Sequence, residues 1–123
     1  MEYWQDNTEE VKQHVLDWIT TQITNLLVDM DTMPSRKVTC YMRGKADAYD
    51  MARCMIKNMD NIKYANRALN LYKCGAQTYA TDYDGTPRIM RIMYRGKMAA
   101  FQSVMDWLAR YQDDTPEKEP DHD

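Results

Sequence analysis

The segment Thr78–Tyr94, TYATDYDGTPRIMRIMY, decides the fold class. One reading is a β-hairpin. Asp84-Gly85 is then its two-residue turn, and the flanking Thr, Tyr and Ile residues favour strands. The other reading is the end of one helix and the start of the next. Ile62, Ala65, Leu69, Tyr72, Ala76, Tyr79 and Tyr83 recur at steps of three and four, as one helix face does. Ile89, Met93, Gly96, Ala100, Val104, Trp107 and Tyr111 continue that period beyond the turn. Here Thr86 is a cap and Pro87 the first helical residue.

An earlier stretch of the chain favours the helical reading. DMDTMP (Asp29–Pro34) matches DYDGTP (Asp82–Pro87) at an offset of 53, and Arg43-Gly44-Lys45 matches Arg95-Gly96-Lys97 at an offset of 52. Ala48 then aligns with Ala100 and Tyr49 with Phe101. The earlier copy, NLLVDMDTMPSRK, has no hairpin turn signal. Upstream of it, Val11, Val15, Trp18, Ile19, Ile23, Leu26, Leu27 and Met30 form a helical stripe, with a capping box at Asn7 and Glu10. Downstream, a second helix starts near Pro34 and carries Val38, Tyr41, Met42, Ala48, Ala52, Met55, Ile56 and Met59. Asp60 and Asn61 end it and start the third. The expected fold is all-α, an up-down-up-down four-helix bundle built from a repeated helical hairpin, residues 8–58 and 61–111. The alternative is an α+β fold with a hairpin at 78–94. Residues 1–112 are expected to form a single domain, and 113–123 a disordered acidic tail with no apolar residue.

Glycine inside a helix destabilises it, so Gly44 and Gly96 require a compensating role. Each lies among small residues, Ala46 and Ala48 or Ala99 and Ala100. Each is expected to be a notch where another helix approaches closely. Helices two and four run the same way in such a bundle, which sets the two notches at similar heights about a pseudo-twofold axis. Exchange of hairpins between two chains, giving a homodimer, follows the same geometry.

The 123 residues carry a net charge of −3, unevenly distributed. Residues 1–35 hold one Lys against seven acids, residues 36–97 thirteen basic groups against five Asp, and residues 98–123 two basic groups against seven acids. The simple expectation is that the acidic ends fold back and neutralise the middle. The sharper one is a basic binding face of Arg43, Lys45, Arg95 and Lys97, with Arg36, Arg53, Arg88 and Arg91 further out. Tyr72, Tyr79 and Tyr83 share a stripe that is expected to line the core, with partner contact as the alternative. Eleven Met add adaptable apolar surface.

Catalytic signatures are absent. The two histidines, His14 and His122, form no triad or Cys-His pair, and no phosphate-binding glycine loop is present. Asp29/Asp31 and Asp82/Asp84 are read as turn residues rather than metal ligands. No enzyme activity, metal or cofactor is expected. No apolar run is long enough for a membrane span, and the polar start is not a secretory signal. Three cysteines without C-x-x-C spacing fit free thiols in a reducing cytoplasm.

The hairpins with their R-G-K-x-x-A-aromatic stretch resemble small helical proteins of phages and mobile elements. The resemblance implies a protein that acts by binding, as an inhibitor or regulator of a host protein, including one of a defence system. A nucleic-acid binder using the basic middle, and a bundle sequestering a small anion, are the alternatives.

Overall fold

The computed structural model describes residues 3–33, 35–60, 62–81 and 85–113. It holds four α-helices: α1 (Tyr3–Thr32), α2 (Arg36–Lys57), α3 (Ala65–Ala80) and α4 (Arg88–Asp113). A 3₁₀ turn, Ile62–Tyr64, leads into α3. No strand occurs among the described residues, and residues 78–80 and 88–94 are helical, so the hairpin alternative is excluded.

The helix boundaries show where local signals were outweighed. α1 begins at Tyr3 rather than after Asn7. No proline or glycine precedes Asn7, and Asn inside a helix costs only a few tenths of a kcal/mol relative to neutral formers. Ser35, not Pro34, starts α2: its hydroxyl accepts the Val38 N–H at 3.3 Å. Pro34, Asn61 and Asp84 lie outside the described residues. Pro87 stands one position before α4, and its carbonyl accepts the Arg91 N–H at 3.1 Å. Gly85 adopts a φ of 85°, the left-handed conformation that opens the way into α4.

The helices form an up-down-up-down bundle with an uneven cross-section. α2 packs chiefly on α4, α1 on α2, and α3 on α4. Lys12 donates to the Met59 carbonyl at 2.7 Å and Arg53 reaches Thr20, so α1 and α2 run antiparallel. Tyr72 meets Phe101 and Tyr79 meets Tyr94, so α3 and α4 do likewise. Along the α2–α4 seam Gly44 faces Met93, Lys45 faces Gly96, and Tyr49 bonds Ser103, so α2 and α4 run parallel.

At this seam the two backbones touch. A Cβ added to Gly44 would lie under 3.0 Å from the carbonyl of Met93, and one added to Gly96 would meet the Tyr41 carbonyl as closely. The contact is reciprocal, because Tyr41 and Met93 each stand three residues before a seam glycine. The hydrogen that replaces each Cβ therefore points at an opposing carbonyl oxygen, as in weak Cα–H···O contacts. Ala48 and Ala52 continue the seam on α2, and Ala100 and Val104 continue it on α4, all fully buried.

The core corresponds between the two hairpins. Buried Gly44, Ala48, Tyr49, Ala52 and Ile56 of α2 stand 52 residues before buried Gly96, Ala100, Phe101, Val104 and Leu108 of α4. Buried Val11, Val15 and Leu26 of α1 stand 54 residues before buried Ala65, Leu69 and Ala80. Gly75 differs from the seam glycines: it is exposed, and a Cβ there would meet nothing within 4 Å.

These environments set opposite signs for one substitution. Gly44→Ala and Gly96→Ala should each destabilise by about 1–3 kcal/mol through overpacking against backbone. Gly75→Ala should stabilise by up to about 1 kcal/mol. Urea unfolding of the three variants checks this; stabilisation at all three positions would remove the seam from the account.

Candidate functional site

The eight basic residues do not converge. Successive residues turn by about 100° around a helix, so Arg43 lies about 140° from Ala48 and points away from the seam. Arg95 stands in the same relation to Ala100 on the parallel helix. Both arginines are exposed, and they project from opposite sides of the α2–α4 pair. Lys45 and Lys97 are half-buried, their ammonium groups over the rings of Tyr41 at 5.8 Å and Tyr94 at 4.9 Å. Arg53 is paired with Asp50 one turn away. Arg36 and Arg88 are exposed at the starts of α2 and α4, and Arg91 is half-buried. Arg36, Arg88 and Arg91 lie at the end of the bundle that holds the two hairpin turns, where Asp29 and Asp31 are also exposed, whereas Arg53 lies toward the other end of α2 beside Thr20.

The aromatic candidates differ from the core role expected of them. Tyr72 is 39% exposed and Tyr79 42% exposed, although each ring lies against a neighbour, Phe101 or Tyr94. Ala80 takes the buried position instead, because Tyr79 falls off the Ala65–Leu69–Ala76 face. Tyr83 lies outside the described residues.

Large apolar groups are exposed on every helix, Leu27 and Val28 near the end of α1 and Met51 on α2 among them, and on α3 they share one stripe with the preceding Tyr64. Leu71 is 67% exposed, the largest value among the exposed large hydrophobics, and Tyr64 at the 3₁₀ turn is 54% exposed. Ala68, Leu71, Tyr72, Gly75 and Tyr79 follow one another at helical steps, so Tyr64 and this stripe line one side of the element. The periodicity alone pointed to a helix. It did not show which apolar residues exceeded the core's capacity, and Leu71 was missed. Positions 54 earlier on α1 are Glu10, His14, Asp17, Thr21 and Asn25, all exposed and polar, with Trp18 opposite Tyr72. α1 thus presents an ordinary solvated face where α3 presents rings and leucine. α3 carries Arg67, exposed, and Lys73, half-buried with its ammonium donating to Gln102 Oε1 at 2.5 Å, and no acid, so the stripe has basic margins.

Two surface grooves lie beside the flanking helices. One, of about 240 Å³, is lined by Trp18, Ser103, Asp106, Trp107 and Arg110. A stack forms its wall: the Trp18 and Trp107 rings lie 4.9 Å apart and within 4° of parallel, and Arg110 sits 4.5 Å over Trp107. Tyr49 meets Trp18 edge-on at 5.9 Å. The other groove, of about 490 Å³, is lined by Asp50, Met51, Cys54, Met55, Asn58 and Tyr72.

Clusters of metal-ligating side chains are not found among the described residues. No group of three His, Cys, Asp or Glu side chains could hold a metal ion. Asp29, Asp31 and His14 are exposed, whereas Asp82 and His122 lie outside the described residues. Cys40, Cys54 and Cys74 are free thiols. No helix is long and apolar enough to cross a membrane among the described residues. Comparison with protein families, curated proteins and solved structures finds no match.

The titration of Tyr49 is displaced. Burial raises its phenol above the ordinary value of 10.0, opposed by the hydrogen bond with Ser103. The folded chain therefore holds this proton more tightly than the unfolded chain. The associated stability is complete below pH about 10 and is lost as pH rises toward the folded-state value. Between about pH 9 and about pH 11, Tyr49→Phe should lose less stability than the wild type. Equal alkaline losses in urea titrations would mean that Tyr49 is not the linked group.

Proposed function

We propose that this chain is a non-enzymatic protein-binding module, made from a duplicated helical hairpin, that grips an acidic helical segment of its partner along α3. One observation carries the reading: Leu71 and Tyr79 of α3, and Tyr64 before it, are exposed where the corresponding α1 residues, Asp17, Asn25 and Glu10, are polar, and Tyr72 lies beside them. Large exposed apolar groups gathered on one face mark an interaction site, and tyrosines are favoured anchors. Ala68 and Gly75 leave room for a helix to lie close. Arg67 and Lys73 complement acidic margins on the partner and oppose pairing of α3 with its own copy. The likeness to small phage and mobile-element proteins points to a host protein, including a defence component, as the class of partner.

The test compares one captured host protein across three forms of the chain. Leu71→Glu with Tyr79→Glu should abolish capture, since loss of an anchor costs about 2 kcal/mol or more. Replacing Arg43, Lys45, Arg95 and Lys97 by Ser should leave capture largely intact. Circular dichroism confirms folding, because both altered sets lie outside the core. Capture that survives the α3 changes would overturn the reading. DNA or RNA binding at physiological salt, lost only in the four-Ser form, would replace it with the nucleic-acid reading. A wild-type dimer that the α3 changes dissociate would assign this face to self-association.

A further inference from the structure

The two grooves occupy the same place in the two halves of the molecule. Adding 52 to the α2 positions of the larger groove converts Met51, Cys54, Met55 and Asn58 into Ser103, Asp106, Trp107 and Arg110 of the smaller one. Subtracting 54 converts Tyr72 into Trp18. These are the offsets that relate the buried residues of the helices, so the correspondence is one of position in the fold.

What differs is the filling. In the α1–α4 groove the indole of Trp107 lies flat on Trp18. In the α2–α3 groove Met55 stands where Trp107 stands, and it supplies no ring to cover Tyr72. The space is about twice as large, 490 Å³ against 240 Å³. Met51, Met55 and Tyr72 give it adaptable apolar walls, with Asp50 and Asn58 as polar lining: Met51 is 42% exposed, Tyr72 39% exposed, and the Cys54 thiol is at the surface. Thioethers pack favourably against aromatic rings and adjust to the shape of an incoming group.

We propose that the α2–α3 groove is a socket for an aromatic side chain, tryptophan above all, on the acidic helix that α3 binds. The ring lies over Tyr72 in the position that Trp107 takes over Trp18, with Met51 and Met55 against it. The inference rests on the protein-binding reading and adds the anchor. Tyr72 belongs to both the stripe and the groove, so a helix along the stripe passes the socket. The basic margins of α3, Arg67 and Lys73, set the charge of the segment that carries the ring.

N-acetyl-tryptophanamide is a suitable probe, with N-acetyl-leucinamide as the aliphatic control. Methyl-resolved NMR of the methionines follows the titration in the millimolar range, where small fragments bind. The Met51 and Met55 methyl signals should move upfield with the indole and saturate, whereas those of Met42 and Met105 should stay in place. The leucine control should shift neither pair. Met55→Trp places the indole internally: it should abolish the response at Met51 and raise the melting temperature. If that variant does not fold, the comparison of the two probes on the wild type still decides. Equal shifts with both probes, no saturable shift at Met51 and Met55, or an unchanged Met51 response in folded Met55→Trp would overturn the socket. Failure of the socket with capture still lost on changing Leu71 and Tyr79 leaves the module without this anchor. Indole binding with capture insensitive to α3 would instead separate the groove from the partner surface and defeat the proposal as stated.

Discussion

Backbone contact at Gly44 and Gly96 sets the rest of the structure. Each glycine admits the carbonyl that lies three residues before the other, so the two helices meet without intervening side chains. Helices that pack through larger side chains keep their axes about 8–10 Å apart. Direct contact draws α2 and α4 together as a central pair and leaves α1 and α3 as flanks. Any side chain at either glycine must displace main chain, which no rotamer change can relieve. Both glycines weaken their own helices; the tight seam with Ala48, Ala52, Ala100 and Val104 offsets that loss.

The division of labour follows. Small residues occupy the centre, so large apolar residues are driven outward, to the contacts of α1 on α2 and α3 on α4. On the α1 side Trp18, Tyr49 and Trp107 interlock beside the smaller groove, and Leu27 and Val28 near the end of α1 stay exposed. On the α3 side Met55 leaves the matching space open, and Leu71 and Tyr79 remain at the surface. A nearly symmetric frame thus carries two unlike stripes: exposed polar residues at Glu10, His14, Asp17, Thr21 and Asn25 of α1, and Leu71, Tyr72 and Tyr79 at the matching side of α3. That difference is the physical basis of the binding role proposed for α3.

Much of the frame was readable from residue spacing. Stripes at steps of three and four placed four helices, and the cost of glycine inside a helix singled out Gly44 and Gly96 as close approaches. The parallel run of α2 and α4 followed from helix order. Side-chain partition was harder. Tyr72 and Tyr79 share a helical period with Leu69 and Ala76, and period alone does not show that a glycine-centred seam narrows the core and excludes rings. Arg43 and Arg95 were placed at similar heights by sequence, but a parallel pair with twofold-like packing turns them to opposite sides. Both prolines read as first helical residues stand before the helix they introduce: the Ser35 hydroxyl caps α2 after Pro34, and Pro87 precedes α4 and offers only its carbonyl.

Distances between spin labels on α2 and α4 test the parallel glycine seam most directly. With the three cysteines replaced, one label pair goes at Arg36 and Arg88 and another at Arg36 and Arg110, all exposed sites. Dilution with unlabelled chain removes contributions from any exchanged dimer. In a parallel pair the starts of α2 and α4 lie at one end, and Arg110 lies 22 residues beyond Arg88, about 33 Å along the axis. The Arg36–Arg88 distance should therefore be much the shorter. A shorter Arg36–Arg110 distance would show that α2 and α4 run antiparallel, and would contradict the seam and the correspondence of the two grooves.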